Sequence, residues 1–248
     1  MSAAITRFGD LTYVAAEALS GDTVVLLPVG ALEPHGPHAP LATDTLISLA
    51  VCDRALRMLG SREPAHAVVL PPVGYGVTHL SDAFAGSVSI SAGVLQSLLS
   101  DICHSLERQG MRRRIIVNSH FEPEHVNALR AAAEETDTTL FDVTRRRLAE
   151  RLTDEFRSGA AHAGRYETSI LLATHPELVD GVAMGMLPSL PVDMPSHIAA
   201  GSPSFEAMGM HRAYCGSPAE ASAAEGEATL DTLGTMLVEL IHSVRQST

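Results

Sequence analysis

Continuous apolar runs alternate along this chain with longer stretches in which apolar residues recur at helical spacing. Runs rich in Val, Leu and Ile and closed by Pro, Gly or polar residues are typical of strands buried on both faces of a sheet. The pattern predicts strands over 24–29, 67–73, 115–119 and 138–143, and a short alternating segment over 87–90. Helical periodicity predicts helices over 12–19, 44–59, 92–108, 124–136, 144–157, 166–174 and 222–243.

Strands that alternate with helices of ten or more residues imply parallel pairing. The sequence therefore predicts an α/β fold, a three-layer α/β/α sandwich with a mostly parallel central sheet. No repeat and no linker-like change of composition interrupts it, so residues 1–248 are expected to form a single domain. Residues 181–218, rich in Met, Pro, Gly and Ser, lack periodicity; a functional loop and a surface excursion both fit them.

Composition and charge exclude several classes of partner. The chain has 17 Lys and Arg against 29 Asp and Glu, a formal charge of −12, which argues against nucleic acid and anionic membranes as partners. The three Cys are widely spaced with no CxxC motif, as expected of reduced thiols. No apolar stretch approaches the roughly 20 residues of a membrane span, and residues 1–10 do not resemble a secretory signal. A soluble, cytoplasmic protein is expected.

Histidines and carboxylates follow two of the predicted strands where each strand ends. Glu33, His35 and Asp44 come after the first strand, and His120 and Glu122 come after the third. In open parallel sheets, ligand sites form beyond the carboxyl ends of strands, so these side chains are expected to meet. Three carboxylates and two imidazoles suit Zn²⁺, Mn²⁺ or Fe²⁺, and they suffice for two ions that share a bridging carboxylate.

Several segments resemble a known family. Residues 28–45, PVGALEPHGPHAPLATDT, look like the signature of the creatininase family of metal-dependent amidohydrolases. Residues 118–122, NSHFE, resemble its second ligand segment, and residues 162–169, HAGRYETS, resemble a further segment at the start of a helix. Residues 216–218 and the terminal helix resemble the end of the family's chain. The family fold is a three-layer α/β/α sandwich, in agreement with the pattern above.

The resemblance implies two divalent ions per chain, Zn and/or Mn with Fe possible, and Asp44 as the bridge between them. It implies five ligands: Glu33, His35, Asp44, His120 and Glu122. Many relatives have His-Gly-Gly-Asn where this chain has residues 120–123, and in those relatives the residue matching Glu167 replaces the missing carboxylate. Glu122 is favoured here because residues 120–122 resemble the His-aromatic-Glu version found in creatininase itself. Glu167 then supports a ligand or binds the same ion.

The resemblance also implies catalytic and substrate-binding residues. His162 matches the family's active-site histidine, which handles protons near the bridging water, and Glu167 follows it as a catalytic partner. A helix-capping role for His162 beside Glu167 is the alternative. Thr78 and Phe121 match positions that flank the substrate.

The expected reaction is hydrolysis of a carbon–nitrogen bond in a cyclic amide, a formamide or a short peptide. A creatininase proper and a peptidase of the mycofactocin precursor are alternatives within the family, although a chain without Trp is an unusual creatininase. A metal-binding scaffold without catalysis is the alternative from another class. The expected partners are a small-molecule amide substrate and further copies of the chain in a homo-oligomer, with a hexamer suspected.

Overall fold

A four-stranded parallel sheet forms the centre of the computed structural model, which describes residues 6–19, 21–60, 66–143, 148, 150–159 and 162–246. The strand order is β2-β1-β3-β4, and every neighbouring pair is parallel. The strands are β1 (Val24–Val29), β2 (Ala67–Val69), β3 (Arg114–Asn118) and β4 (Thr139–Asp142). The predicted parallel α/β class is thereby confirmed.

Helices flank the sheet and connect its strands. The helices whose bounds the described residues give are α1 (Tyr13–Glu17), α2 (Thr43–Leu59), α3 (Ala92–Arg108), α4 (Pro123–Glu135), α5 (Asp154–Arg157), α6 (Arg165–Thr174), α7 (Gly181–Gly185), α8 (Met194–Ala199) and α9 (Ala223–Gln246). Short 3₁₀ helices lie at Phe8–Asp10, His79–Ser81, Pro176–Leu178 and Pro218–Glu220. None of the helices in the described part of the chain is both long and apolar enough to cross a bilayer.

Alternate residues of β1 face two separate hydrophobic clusters, which produces the three layers. Val24 and Leu26 pack in one cluster with residues of α2 and α9, whereas Val25 and Leu27 pack in the other with residues of α3 and α4. Successive side chains of a strand point to opposite faces, so a strand covered on both sides must be apolar throughout. All six residues of β1 are buried accordingly.

Three predicted elements differ from the structure. Strand β2 ends at Val69 rather than at residue 73, because Pro71 and Pro72 have no N–H to extend the ladder; pairing resumes only as an isolated bridge between Val29 and Val73. Residues 87–90 form one isolated bridge to Gly76 instead of a strand. Of the helix predicted over 144–157, residues 144–147 and 149 lie outside the described residues, and α5 is the helix described at its end.

Residues 181–218 are more ordered than their composition indicates. They contain α7 and α8, and their Met and Phe side chains pack with Leu80 in a third hydrophobic cluster. The backbone N–H of Phe205 donates to the Leu80 carbonyl at 2.8 Å, which ties this segment to the loop that follows β2. The segment therefore belongs to the wall of the site described next. The extent of the domain over 1–248 stays a prediction.

Candidate metal centre

Four of the five predicted ligands, Glu33, His35, Asp44 and His120, gather at the carboxyl ends of the neighbouring strands β1 and β3. The connection from β1 leads to β2 on one side of the sheet, and the connection from its neighbour β3 leads to β4 on the other, the arrangement that opens a crevice between β1 and β3. The loop after β1 carries Glu33 and His35, and the residues after β3 carry His120. Asp44 and Glu167 lie in the first turns of α2 and α6, where the positive end of each helix dipole favours a carboxylate.

A tight turn gives the loop after β1 its shape. Gly36 adopts a φ of 64°, a left-handed conformation that costs glycine little, and its N–H donates to the Ala213 carbonyl at 2.6 Å. A Cβ at this position would lie 2.7 Å from Nδ1 of His38. The sequence Pro-His-Gly-Pro-His therefore folds back on itself, and His35 turns into the protein interior, where its exposed fraction is zero.

Two groups of potential ligands share Asp44. In the first, His120 Nδ1 lies 3.1 Å from Glu33 Oε1 and 3.0 Å from Asp44 Oδ2. In the second, His35 Nε2 lies 3.3 Å from Asp44 Oδ1 and 3.6 Å from Glu167 Oε2. Each oxygen of Asp44 thus faces a different histidine, which is the geometry of a carboxylate that can bridge two ions.

Backbone carbonyls fix the tautomer of each histidine in this cluster. His120 donates from Nε2 to the Val77 carbonyl at 2.7 Å, and His35 donates from Nδ1 to the Glu33 carbonyl at 3.0 Å. A carbonyl only accepts, so those nitrogens carry the proton and the opposite nitrogen turns its lone pair toward the carboxylates. Histidines that bind metals are oriented in this way by a hydrogen bond from the second ring nitrogen.

Several atoms in the centre of the cluster are buried without a hydrogen-bond partner. They are Glu33 Oε2, His35 Nε2, Asp44 Oδ2 and His120 Nδ1. Buried polar atoms of this kind are costly unless something satisfies them. Carboxylate oxygens and imidazole nitrogens are ligands of Zn²⁺, Mn²⁺ and Fe²⁺, so the donor set fits divalent ions of these types.

Electrostatic interactions within the cluster shift the pKa values of its members strongly. Burial would lower the pKa of His35, but the neighbouring carboxylates of Asp44 and Glu167 raise it to about 10. Burial would raise the pKa of Asp44, yet His35 and His120 hold it far below its usual range. Burial raises the pKa of Glu167 to about 8. Protons and divalent cations therefore compete for the same atoms.

Glu122 lies outside these groups, although the sequence favours it as a ligand. Its Oε1 accepts a hydrogen bond from the backbone N–H of His79 at 3.0 Å, and its Oε2 accepts one from Leu80 at 3.3 Å. These N–H groups open a 3₁₀ helix, have no partner inside that helix, and attract a carboxylate. The geometry brings Glu167 to the cluster in its place. Burial raises the pKa of Glu122 to about 7.

His162 lies at the edge of the cluster. Its Nε2 donates to the Pro34 carbonyl at 3.0 Å, and its Nδ1 lies 3.7 Å from Glu33 Oε1. Its ring contacts the rings of His35 and Phe205, with centroids 4.4 Å away in both cases. Burial and the charge of His35 lower the pKa of His162 to about 4, so the ring is neutral near pH 7 and its Nδ1 carries a lone pair.

The two residues predicted to bind substrate lie beside the cluster. Thr78 is buried, and its hydroxyl forms a hydrogen bond with the Ser87 hydroxyl at 2.9 Å. Phe121 is half-buried and packs against the third hydrophobic cluster. Both substrate-binding roles stay predictions.

Sequence reasoning missed three residues around the cluster. His38 forms a hydrogen bond through Nε2 with the Thr168 hydroxyl at 2.8 Å, which joins the loop after β1 to helix α6. Phe205 packs on His162, and His125 packs edge-on against His120. His38 lies within the ligand-rich segment, which is a usable signal. Phe205 and His125 have no spacing that distinguishes them from core residues.

The chain is similar to known proteins over most of its length. The family model described as creatinine amidohydrolase matches residues 10–241. The mycofactocin precursor peptide peptidase of Mycolicibacterium smegmatis is 36% identical over 206 residues, covering 82% of this chain and 78% of the relative. The creatinine amidohydrolase of Pseudomonas putida is 33% identical over 195 residues, covering 69% and 73%.

A solved structure shares the architecture over nearly the whole chain. The crystal structure of a creatinine amidohydrolase (creatininase) superposes with a TM-score of 0.76 at 25% identity, covering 98% of this chain and 99% of that one. The three-layer fold inferred from the apolar runs is confirmed by this likeness. The chain therefore belongs to the creatininase family, whose members are metal-dependent hydrolases that act on carbon–nitrogen bonds.

Proposed function

We propose that the chain binds two divalent ions and hydrolyses the carbon–nitrogen bond of a small amide. One ion is held by Glu33, Asp44 and His120, and the other by His35, Asp44 and Glu167. The observation that carries the proposal is the position of Asp44, whose two oxygens face different histidines at 3.0 and 3.3 Å. Zn²⁺ and Mn²⁺ are the expected ions and Fe²⁺ suits the same ligands. Solved creatininases named for Mn and for a Zn–Zn type, both 25% identical with a TM-score of 0.74, support this choice.

The residues around the ions divide the chemistry between them. The chemistry supplied by two such ions is activation of a water molecule and polarisation of an amide carbonyl. His162, neutral and with Nδ1 turned toward the cluster, takes a proton there and returns it to the leaving nitrogen. The backbone carbonyl of Pro34 keeps the ring in the tautomer that this step needs. Phe205 and the segment around it exclude water from the imidazole.

The proposed substrates are cyclic amides, formamides and short peptides. The relative named as a creatinine amidohydrolase supports a cyclic amide as substrate, and the relative named as a precursor peptide peptidase supports a short peptide. The proposal includes assembly of the chain into a homo-oligomer, a hexamer. It is supported by exposed apolar side chains on α7 and just after it, Val182 at 77% and Met186 at 73% exposure. Light scattering at micromolar concentration tests it, and a monomer mass would contradict it.

The test of the metal centre is elemental analysis combined with matched substitutions. The purified protein is expected to contain two divalent ions per chain. Asp44→Asn keeps the size of the side chain but removes its charge, so both ions should be weakened, whereas His35→Ala should release only one. A protein without any divalent ion, or an Asp44→Asn variant with both ions and normal turnover, would contradict the proposal.

A non-catalytic scaffold is the competing function, and turnover separates it from a hydrolase. The metal-loaded protein is assayed against a library of cyclic amides, formamides and short peptides. Hydrolysis that disappears in Asp44→Asn supports the enzyme. Two tightly bound ions without turnover across the library would favour the scaffold.

A further inference from the structure

The peptide group that orients His120 lies in irregular backbone. His120 donates from Nε2 to the Val77 carbonyl at 2.7 Å, and this bond determines which way its other nitrogen faces. Val77 lies between the end of β2 and the 3₁₀ helix at His79–Ser81, in neither a strand nor a helix. Side chains rather than a strand ladder hold the backbone here. The Thr78 N–H, in the same peptide group as the Val77 carbonyl, donates to Ser89 Oγ at 3.0 Å.

His125 holds the preceding peptide group, which joins Gly76 to Val77. The Val77 N–H donates to His125 Nδ1 at 3.3 Å, and His125 Nε2 in turn donates to Asn118 Oδ1 at 3.1 Å. A backbone N–H only donates, so Nδ1 must be the acceptor and Nε2 must carry the proton. His125 has an exposed fraction of zero and lies in the first turn of α4. The two hydrogen bonds of His125 therefore require one tautomer, with the proton on Nε2 and the lone pair on Nδ1.

The same asparagine holds the backbone of His120. Asn118 Oδ1 also accepts from the His120 N–H at 3.1 Å, and Asn118 Nδ2 donates to the His120 carbonyl at 2.9 Å. The rings of His120 and His125 lie edge to face, with centroids 4.6 Å apart at 90°. His125 thus reaches His120 by three routes: the backbone on the two sides of the Val77 Cα, the Asn118 amide and direct ring contact.

We propose that His125 is a positioning residue for the ion held by Glu33, Asp44 and His120. It anchors the backbone at Val77, whose carbonyl turns Nδ1 of His120 toward the ion, and it shares Asn118 Oδ1 with the backbone N–H of His120. This inference rests on the two-ion site proposed above. The ion held by His35 should be independent of His125, because the ring of His35 is oriented by the Glu33 carbonyl within its own loop.

Two substitutions at one position separate hydrogen bonding from ring shape. His125→Phe keeps a planar ring but leaves the Val77 N–H without its acceptor and Asn118 Oδ1 without one of its two donors. His125→Gln restores one acceptor and one donor. Val126→Ala, which shortens the next buried residue of the same helix, is the control for a general loss of packing. Gly76→Ala is a second probe, since its Cβ would lie 2.5 Å from His125 Nδ1 and push the ring aside.

The test measures the affinity of the metal-free protein for each Zn²⁺ ion. Calorimetric titration and competition with a chromophoric chelator give these affinities. We expect one of the two Zn²⁺ ions to bind about 10–100-fold more weakly in His125→Phe, the usual effect of removing a group that orients a ligand. The other ion should bind as in the wild type. His125→Gln should recover much of the loss, Gly76→Ala should reproduce it, and Val126→Ala should leave both affinities unchanged.

Each result bears on the inference. A folded His125→Phe variant that binds both ions as tightly as the wild type overturns it and leaves the two-ion proposal intact. Equal weakening of both ions overturns it too, because it would show a general structural role. If His125→Phe does not fold, Gly76→Ala is measured instead, and unchanged or equally weakened binding of the two ions overturns the inference in the same way. A wild-type protein that binds no Zn²⁺ overturns the proposed function and this inference with it.

Discussion

The aromatic ring of Phe205 packs against the imidazole of His162, with their centroids 4.4 Å apart. Phe205 belongs to residues 181–218, and its N–H is anchored to the Leu80 carbonyl. The contact excludes water from an imidazole whose pKa is lowered to about 4 by burial and by the charge of His35. A segment without helical or strand periodicity thus contributes to the burial of the proposed proton carrier.

Replacing Phe205 should move the pH profile of the reaction. Phe205→Ala lets water reach His162, so the pKa of His162 should rise from about 4 toward its usual 6.5. Because the neutral ring accepts the proton, activity should then fall at a higher pH on the acidic side than in the wild type. The profile of kcat/KM measures the shift, with Phe205→Leu as the control that keeps the site dry. If the acidic limb of the kcat/KM profile does not move in Phe205→Ala, Phe205 does not influence the pKa of His162.

Removal of the His162 imidazole should slow the reaction without releasing metal. A group that transfers a proton typically contributes about 10²–10⁴-fold, so His162→Ala should lower kcat by that factor. The loss should be smaller for an activated anilide, whose leaving amine needs less protonation. Turnover of both substrate types and elemental analysis check the prediction. An unchanged rate would leave His162 as a packing residue.

Glu167 and Glu122 should differ in their effect on metal content. Glu167→Gln should release one ion, because its carboxylate faces His35 Nε2 at 3.6 Å. Glu122→Gln should retain both ions, because its oxygens are occupied by the N–H groups of His79 and Leu80. Metal analysis of the two variants side by side is the measurement. The reverse outcome would restore the assignment that the sequence favours.

The metal-free protein should lose stability as the pH rises. The pKa of His35 is raised from 6.5 to about 10, so its contribution is complete below about pH 6.5 and is lost as the pH rises through 10. The pKa of Glu167 is raised from 4.5 to about 8. Its contribution to folding stability is therefore complete below about pH 4.5 and is also lost as the pH rises through 8. Thermal unfolding from pH 6.5 to 10, with and without Zn²⁺, tests this. Metal-loaded protein should show the smaller fall, and a metal-free stability that rises with pH would refute the prediction.

Close packing of α9 on α6 should make Gly226 intolerant of a side chain. A Cβ there would overlap the carbonyl oxygen of Ser169 in α6, so Gly226→Ala should destabilise the fold by about 1–3 kcal/mol. Gly185→Ala is the matched control, because a Cβ at Gly185 meets nothing within 4 Å. That change should be neutral or stabilising by up to about 1 kcal/mol. Urea unfolding of both variants measures the difference, and equal stability would contradict the overlap.

The sequence predicts the sheet, and the location of the site with it, for a physical reason. Buried parallel strands must be apolar throughout, so β1 and β3 are visible as runs, and the polar residues that follow them must meet at one edge. Glu33, His35, Asp44 and His120 could therefore be placed together from the sequence. The prediction for β2 extends too far, because it assigns ladder positions to prolines.

The remaining contacts depend on tertiary structure. Which of Glu122 and Glu167 reaches the cluster is decided by the free N–H groups of His79 and Leu80, which no local pattern relates to Glu122. The contact of Phe205 with His162 joins residues 43 positions apart, and its chain segment has no periodicity. Such relationships follow from the fold and not from the spacing of residues.

Burial of the proposed ligands has a consequence for how metal enters and leaves. His35, Glu33, Asp44 and His120 are each exposed by 2% or less, so an ion among them exchanges with solvent only when the surrounding segments separate. Exchange is then limited by the rate of that opening rather than by the strength of the bonds to the ion. The metal found in the purified protein should accordingly record which ions were abundant while the chain folded, and growth medium should alter it more than later dialysis.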